Sequence, residues 1–228
     1  MKFAVCVFPG SNCDYDTYYV IRHVLEKEVE FVYHDQKSLS GYDCVILPGG
    51  FSYGDYLRPG ALAAKTPLAE AVFEFAQKGG LVLGICNGFQ VLTELHLLPG
   101  ALLPNASGGF VCKDVFLKVE NPDSPLTRKL GEGDILRMPI AHHDGRYYVP
   151  PKQLEELKER GQILLRYVNE KGESCAEANP NGSVYGIAGV CSKEKNVMGI
   201  MPHPERASED ILGSHDGLML WYSLISAP

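Results

Sequence analysis

The first hundred residues alternate between two kinds of segment, and this alternation restricts the fold more than any other feature. "KFAVCVF", "VEFVYH", "YDCVILPGG" and "GLVLGIC" are short β-branched or aliphatic runs that end in turn signals. Between them, "YDTYYVIRHVLEKE" sets Tyr18, Ile21, Val24 and Leu25 at helical spacing. "TPLAEAVFEFAQKGG" and "NGFQVLTELHLLPG" also read as helices, with Pro67 near a helix start and glycines past the ends. Strands that are apolar throughout, rather than at every second residue, are buried on both faces. The expectation is an α/β fold with a mostly parallel sheet and helices on both faces.

The second half is less regular. "FVCKDVFLKVE" mixes apolar and polar positions as a half-exposed strand does, "PPKQLEELKERG" is a short polar helix begun by proline, and "ILLRYV", "SVYGIAGVCS" and "VMGIMPHPE" are strand-like. A final amphipathic helix is expected from about Ser214 through Leu218, Leu220, Trp221 and Leu224. No repeat, low-complexity tract or linker interrupts the chain. With 228 residues, 45% of them hydrophobic and 21% charged, one domain over residues 1–228 is expected.

A formal net charge of -7 argues against a nucleic-acid partner or an anionic membrane, because both reward a basic surface. Seven cysteines at scattered positions form no CxxC pair, which points to reduced thiols, a cytoplasmic location and no metal site. The opening "MKFAVCVFPGSNCD" meets Pro9-Gly10 after a short apolar run, so it reads as a first strand rather than a secretion leader. No run approaches the roughly 18 apolar residues of a membrane span.

In an open parallel sheet the ligand crevice forms from loops at the carboxyl ends of the strands. "PGSNCD", "PGGFSYGD" and "GICNGFQ" therefore share one edge. Gly84-Ile85-Cys86-Asn87-Gly88 has the spacing of a nucleophile elbow, a strand-to-helix turn that exposes its central side chain. The following helix favours a thiolate by its dipole, and the Asn87 N–H is placed to receive an oxyanion. By itself the spacing also fits a structural cysteine in a chain with 24 glycines.

A thiolate nucleophile needs a base. His203-Pro204-Glu205 in "VMGIMPHPERA" offers a histidine and a carboxylate two residues apart, which point the same way in extended backbone. Glu205 then orients the imidazole while the other ring nitrogen serves Cys86. A lone HPE is usually a surface pair, and its combination with the glycine-flanked cysteine favours a triad.

"LPGG", "LGICNGFQVL" and "MPHPE", in that order, resemble the class I, or triad-type, glutamine amidotransferase domain. "FPGSNCDYDT", "LPGGFSYGDYLRPGA", "ICNGFQVLTELHLLPGAL", "PIAHHDGRYY" and "GIMPHPERA" narrow the resemblance to the branch of glutaminase subunits serving formylglycinamidine ribonucleotide synthase in purine biosynthesis. The likeness covers nearly the whole chain. It implies a flavodoxin-like, three-layer domain with a smaller antiparallel β region.

It also implies that Cys86 attacks the side-chain amide of L-glutamine, with His203 moving protons and Glu205 orienting it. Backbone N–H groups near Gly50 and Phe51, with that of Asn87, would form the oxyanion hole. Gln90 and the backbone near Phe110 would hold the amino and carboxylate ends of the substrate. The implied partner is a synthase chain that uses ATP and magnesium, with a small accessory protein left open. No cofactor is expected in this chain, which lacks a GxxxxGK[ST] loop.

Two stretches depart from the family pattern. Ala141-His142-His143-Asp144-Gly145 stands where "AHGEG" is usual, and Gly108-Gly109 where a bulkier, often basic residue is usual. Adjacent histidines in a strand point oppositely and lack a third clear ligand, which argues against metal. Cys13 reads as a packed loop thiol, and His34 and His96 as element-end residues. Other cysteine hydrolases on a similar sheet, such as a γ-glutamyl hydrolase or a DJ-1-like protein, are rival readings. A partner-binding module with a vestigial triad is the non-enzyme rival.

Overall fold

The computed structural model describes residues 1–226. They divide into two compact units, Met1–Leu98 with Asn196–Gly199, and Pro99–Lys195 with Ile200 onward.

The first unit opens with β1 (Lys2–Val7), α1 (Asp14–Tyr19), β2 (Glu28–Tyr33) and β3 (Cys44–Leu47). It continues with α2 (Pro67–Gln77), β4 (Leu81–Ile85) and α3 (Asn87–Glu94). β1 pairs in parallel with β2 and β3, and β3 in parallel with β4, giving the spatial order β2-β1-β3-β4. Phe3 to Cys6 and Cys44 to Leu47 are fully buried, which is why these strands are apolar at every position. α2 starts as its sequence implies: Pro67 occupies the first turn, and Thr66 Oγ1 accepts the Ala69 N–H at 3.2 Å. Such a cap contributes about 1 kcal/mol.

The helix expected over "YDTYYVIRHVLEKE" is shorter and less regular than its spacing suggests. α1 ends at Tyr19, and Val20–Val24 form a π-helical turn that places Val20 and Ile21 in the core. Likewise α3 stops at Glu94, and His96, with φ 56°, lies just past its end. His34 follows the end of β2.

The second unit contains β5 (Ala101–Leu103), β6 (Val111–Val119), β7 (Ile135–His142), β8 (Arg146–Tyr148), α4 (Pro151–Glu159), β9 (Ile163–Val168) and β10 (Ile187–Cys191). β10-β9-β6-β7 pair antiparallel throughout, and β5 and β8 form a two-stranded antiparallel sheet. "SVYGIAGVCS" is a strand only from Ile187, because Val184–Gly186 make a 3-10 turn in which Tyr185 has φ 55°. Near the end, β11 (Val197–Ile200) runs beside β4 in the first unit. α5 (Gly217–Ile225) buries Leu220, Trp221 and Leu224 and begins later than the expected Ser214. Among the described residues no helix is long and apolar enough to cross a membrane.

Candidate active site

Because β1, β3 and β4 are parallel, the segments that follow them leave the same edge of the first unit. Those segments bond to one another. The Asn12 and Cys13 N–H groups both point at Gly49 O (3.4 and 3.2 Å), and the Phe51 and Tyr53 N–H groups donate to Gly10 O (3.0 Å) and Pro9 O (2.6 Å). Glycine is required at this crossing: a Cβ on Gly50, where φ is +143°, would lie 2.6 Å from Asn12 N. Cys13 is buried.

Cys86 sits at the turn between β4 and α3 with φ 50° and ψ -103°. For a residue with a Cβ this conformation costs on the order of 1–3 kcal/mol, and it persists only where the surroundings enforce it. Here they do. A Cβ on Gly88 would stand 1.9 Å from Leu47 O, and one on Gly84 would stand 2.6 Å from the Gly88 carbonyl carbon. The two glycines let α3 pack directly on β3 and β4, and that packing holds Cys86 in the sharp turn. Asn87 to Thr93 are all buried, so the helix behind the cysteine is fixed. The dipole at the start of this helix favours negative charge, and its first turn carries no acidic residue.

The loop expected to supply oxyanion donors needs one correction. The Phe51 N–H is committed to Gly10 O, which removes it from that role. The Ser52 N–H is likewise taken, by Asn87 Oδ1 at 3.1 Å. From this loop the donor left to consider is Gly50. Gln90 belongs to the same cluster, since its Oε1 accepts from Asn87 Nδ2 at 2.9 Å.

In the second unit, His203 and Glu205 are brought together: Nδ1 lies 2.6 Å from Oε1, with the residues 1% and 2% exposed. Extended backbone is not what joins them. His203 is extended, its N–H donating to Pro139 O of β7 at 2.9 Å, but Pro204–Arg206 form a 3-10 turn that swings Glu205 back onto the imidazole. Phe110, just before β6, is 52% exposed and forms part of an open loop; a Cβ on Gly108 or Gly109 would meet nothing within 4 Å.

Of the paired histidines, His142 ends β7 and is buried, and His143, just past the strand, is exposed. His143 Nδ1 meets Asp144 Oδ2 at 2.7 Å, and this hydrogen bond raises its pKa. His142 is 3% exposed, and burial, then the nearby His203 charge, pushes its pKa down to about 4. Its Nδ1 lies 3.1 Å from Asn105 Oδ1, which also accepts the Gly145 N–H. Asn105 Nδ2 donates to the carbonyls of Gly109 and His142, both at 2.9 Å. This asparagine, which ties the loop before Phe110 to the end of β7, has no sequence signal beyond being an isolated polar residue.

Residues 1–217 match the CobB/CobQ-like glutamine amidotransferase domain family, so the class is that of glutamine amidotransferases. The chain is 74% identical over 226 residues to the phosphoribosylformylglycinamidine synthase subunit PurQ of Aquifex aeolicus, covering 99% of this chain and 100% of the relative. It is 53% identical to the same subunit of Moorella thermoacetica, covering 99% and 95%. The chain belongs to the PurQ family of glutamine amidotransferases. Among solved structures, a chain of PurLQS from Thermotoga maritima matches with a TM-score of 0.87 and 44% identity over 98% of this chain and 97% of that one. Another glutamine amidotransferase from Thermotoga maritima shares the fold, with a TM-score of 0.60, 16% identity and coverage of 97% and 80%.

Proposed function

We propose that this chain is the glutaminase subunit of phosphoribosylformylglycinamidine synthase, hydrolysing L-glutamine at Cys86 and passing the ammonia to a synthase chain. The Cys86 thiolate attacks the side-chain amide carbon, and the Asn87 and Gly50 N–H groups receive the oxyanion. His203, oriented by Glu205, protonates the leaving nitrogen, so ammonia departs and a γ-glutamyl thioester remains. The same imidazole then takes a proton from water, whose oxygen attacks the thioester and releases glutamate and the thiolate. Gln90 and the backbone near Phe110 hold the two ends of the amino acid.

The observation that carries this reading is the backbone of Cys86, held at φ 50° between two glycines that admit no Cβ. A buried structural thiol needs no such strain. The PurLQS relative is an assembly, and this chain accordingly works with a synthase chain and a small accessory protein. ATP and magnesium belong to the synthase, where they activate the formylglycinamide ribonucleotide, and the complex works in the cytoplasm. Ammonia must travel by a closed route, because free in water at neutral pH it would be protonated.

Cys86→Ala in the assembled complex tests the reading. Glutamine-dependent synthesis is expected to disappear while synthesis from added ammonium salt continues. Loss of both by an intact complex would argue against a nucleophile confined to ammonia release.

A further inference from the structure

The Asn87 side chain joins two parts of the first unit that the chemistry needs in register. Its Oδ1 accepts the Ser52 N–H at 3.1 Å, and its Nδ2 donates to Gln90 Oε1 at 2.9 Å and reaches Asp55 Oδ1 at 3.3 Å. A backbone N–H only donates, so the Ser52 contact fixes which end of the carboxamide is oxygen. The nitrogen end, which only donates, must then face the oxygen of Gln90. By this chain of constraints the Gln90 Nε2 is turned away from Asn87, as a donor.

Burial gives these bonds weight: Ser52, Asn87 and Gln90 are 2%, 3% and 5% exposed. Water does not replace a partner lost at such positions. The tethered loop also resists its own conformation, since Tyr53, Asp55 and Leu57 have φ of 55°, 54° and 73°. A strained loop keeps one shape only where contacts impose it, and Asn87 reaches it at both Ser52 and Asp55.

We propose that the Asn87 carboxamide is a positioning residue for glutamine hydrolysis: it sets the Gly50–Ser52 backbone against the helix behind Cys86 and fixes the orientation of the Gln90 carboxamide that holds the substrate. This rests on the reading of Cys86 as the nucleophile. Asn87 acts through its oxygen on Ser52 of the loop and through its nitrogen on both Gln90 and Asp55.

Steady-state glutaminase kinetics of the complex, with Asn87→Asp, Asn87→Leu, Gln90→Ala and the Asn87→Asp/Gln90→Ala pair, separate the two. Asn87→Asp keeps the acceptor for Ser52 but loses both donors and sets a carboxylate against Asp55, so KM for glutamine rises about 10-fold and kcat falls about 3-fold. Asn87→Leu loses the loop tether as well, and kcat also falls by about 10-fold. In the Gln90→Ala background, Asn87→Asp adds less than about 2-fold to KM, because the group it acts through is gone. If Asn87→Asp is insoluble, Asn87→Leu measured with and without Gln90→Ala gives the same test on KM, because Leu also removes the donor to Gln90. A KM that is unchanged, or that rises by the same factor with and without Gln90, overturns the assignment. Wild-type complex that fails to hydrolyse glutamine would instead overturn the proposed function itself.

Discussion

His203 Nδ1 lies 2.6 Å from Glu205 Oε1, in a pair of side chains almost wholly removed from solvent. With the carboxylate ionised, Nδ1–H donates and Nε2 becomes the nitrogen that exchanges protons. The orientation depends on a 3-10 turn begun by Pro204, so it survives only while Glu205 keeps its place.

Glu205→Gln is therefore expected to preserve the fold and to lower kcat for glutamine hydrolysis by roughly 10²–10⁴-fold, as loss of a correctly oriented acid–base does. KM changes little, since Glu205 is not assigned to the substrate. Kinetics of the complex check this, and a variant with wild-type kcat would remove Glu205 from the triad.

The elbow glycines can be tested against a glycine that has room. Gly88→Ala forces a Cβ to 1.9 Å from the Leu47 carbonyl oxygen, and overpacking of that kind costs about 1–3 kcal/mol or more. Gly109→Ala meets nothing within 4 Å and is expected to stay within about 0.5 kcal/mol of wild type. Urea unfolding of both variants measures the contrast. Equal stability would mean that α3 is not pressed against β3 as described.

His142 makes stability depend on pH. Its folded pKa of about 4 lies below the ordinary value of 6.5, chiefly because burial penalises the charged form. The unfolded chain thus binds a proton that the folded chain refuses. The contribution is fully present above pH 6.5 and is lost as pH falls toward 4. Between pH 7 and pH 5 this group alone removes roughly 2 kcal/mol. Denaturant unfolding at the two pH values should show a smaller loss for His142→Gln than for wild type; an equal loss would mean that His142 is protonated in the folded protein.

Much of this was legible in the sequence, and the reasons differ by element. β1 and β3 announced themselves because both faces are buried, leaving no polar position in Phe3–Cys6 or Cys44–Leu47, whereas the edge strand β2 exposes Glu28, Glu30 and Tyr33. The elbow was legible because Gly84 and Gly88 have no substitute at that approach. HPE was found by spacing, although the turn at Pro204, rather than extended backbone, closes the pair. The π-helical turn at Val20–Val24 was not visible, since its apolar residues fit an ordinary helix equally well. β7 escaped notice as a strand because Arg137 and Pro139 interrupt its apolar run. Asn87 and Asn105 were missed as side-chain hubs because a buried asparagine leaves no periodicity; only its partners, far along the chain, reveal it.

The central claim is that Cys86 carries the γ-glutamyl group. Acid-quenched complex turning over glutamine, digested and read by mass spectrometry, tests it most directly. The account predicts a glutamyl adduct on the peptide containing Cys86, absent from the Cys86→Ala variant, which releases no glutamate. An adduct on another cysteine, or glutamate release by Cys86→Ala at the wild-type rate, would contradict it.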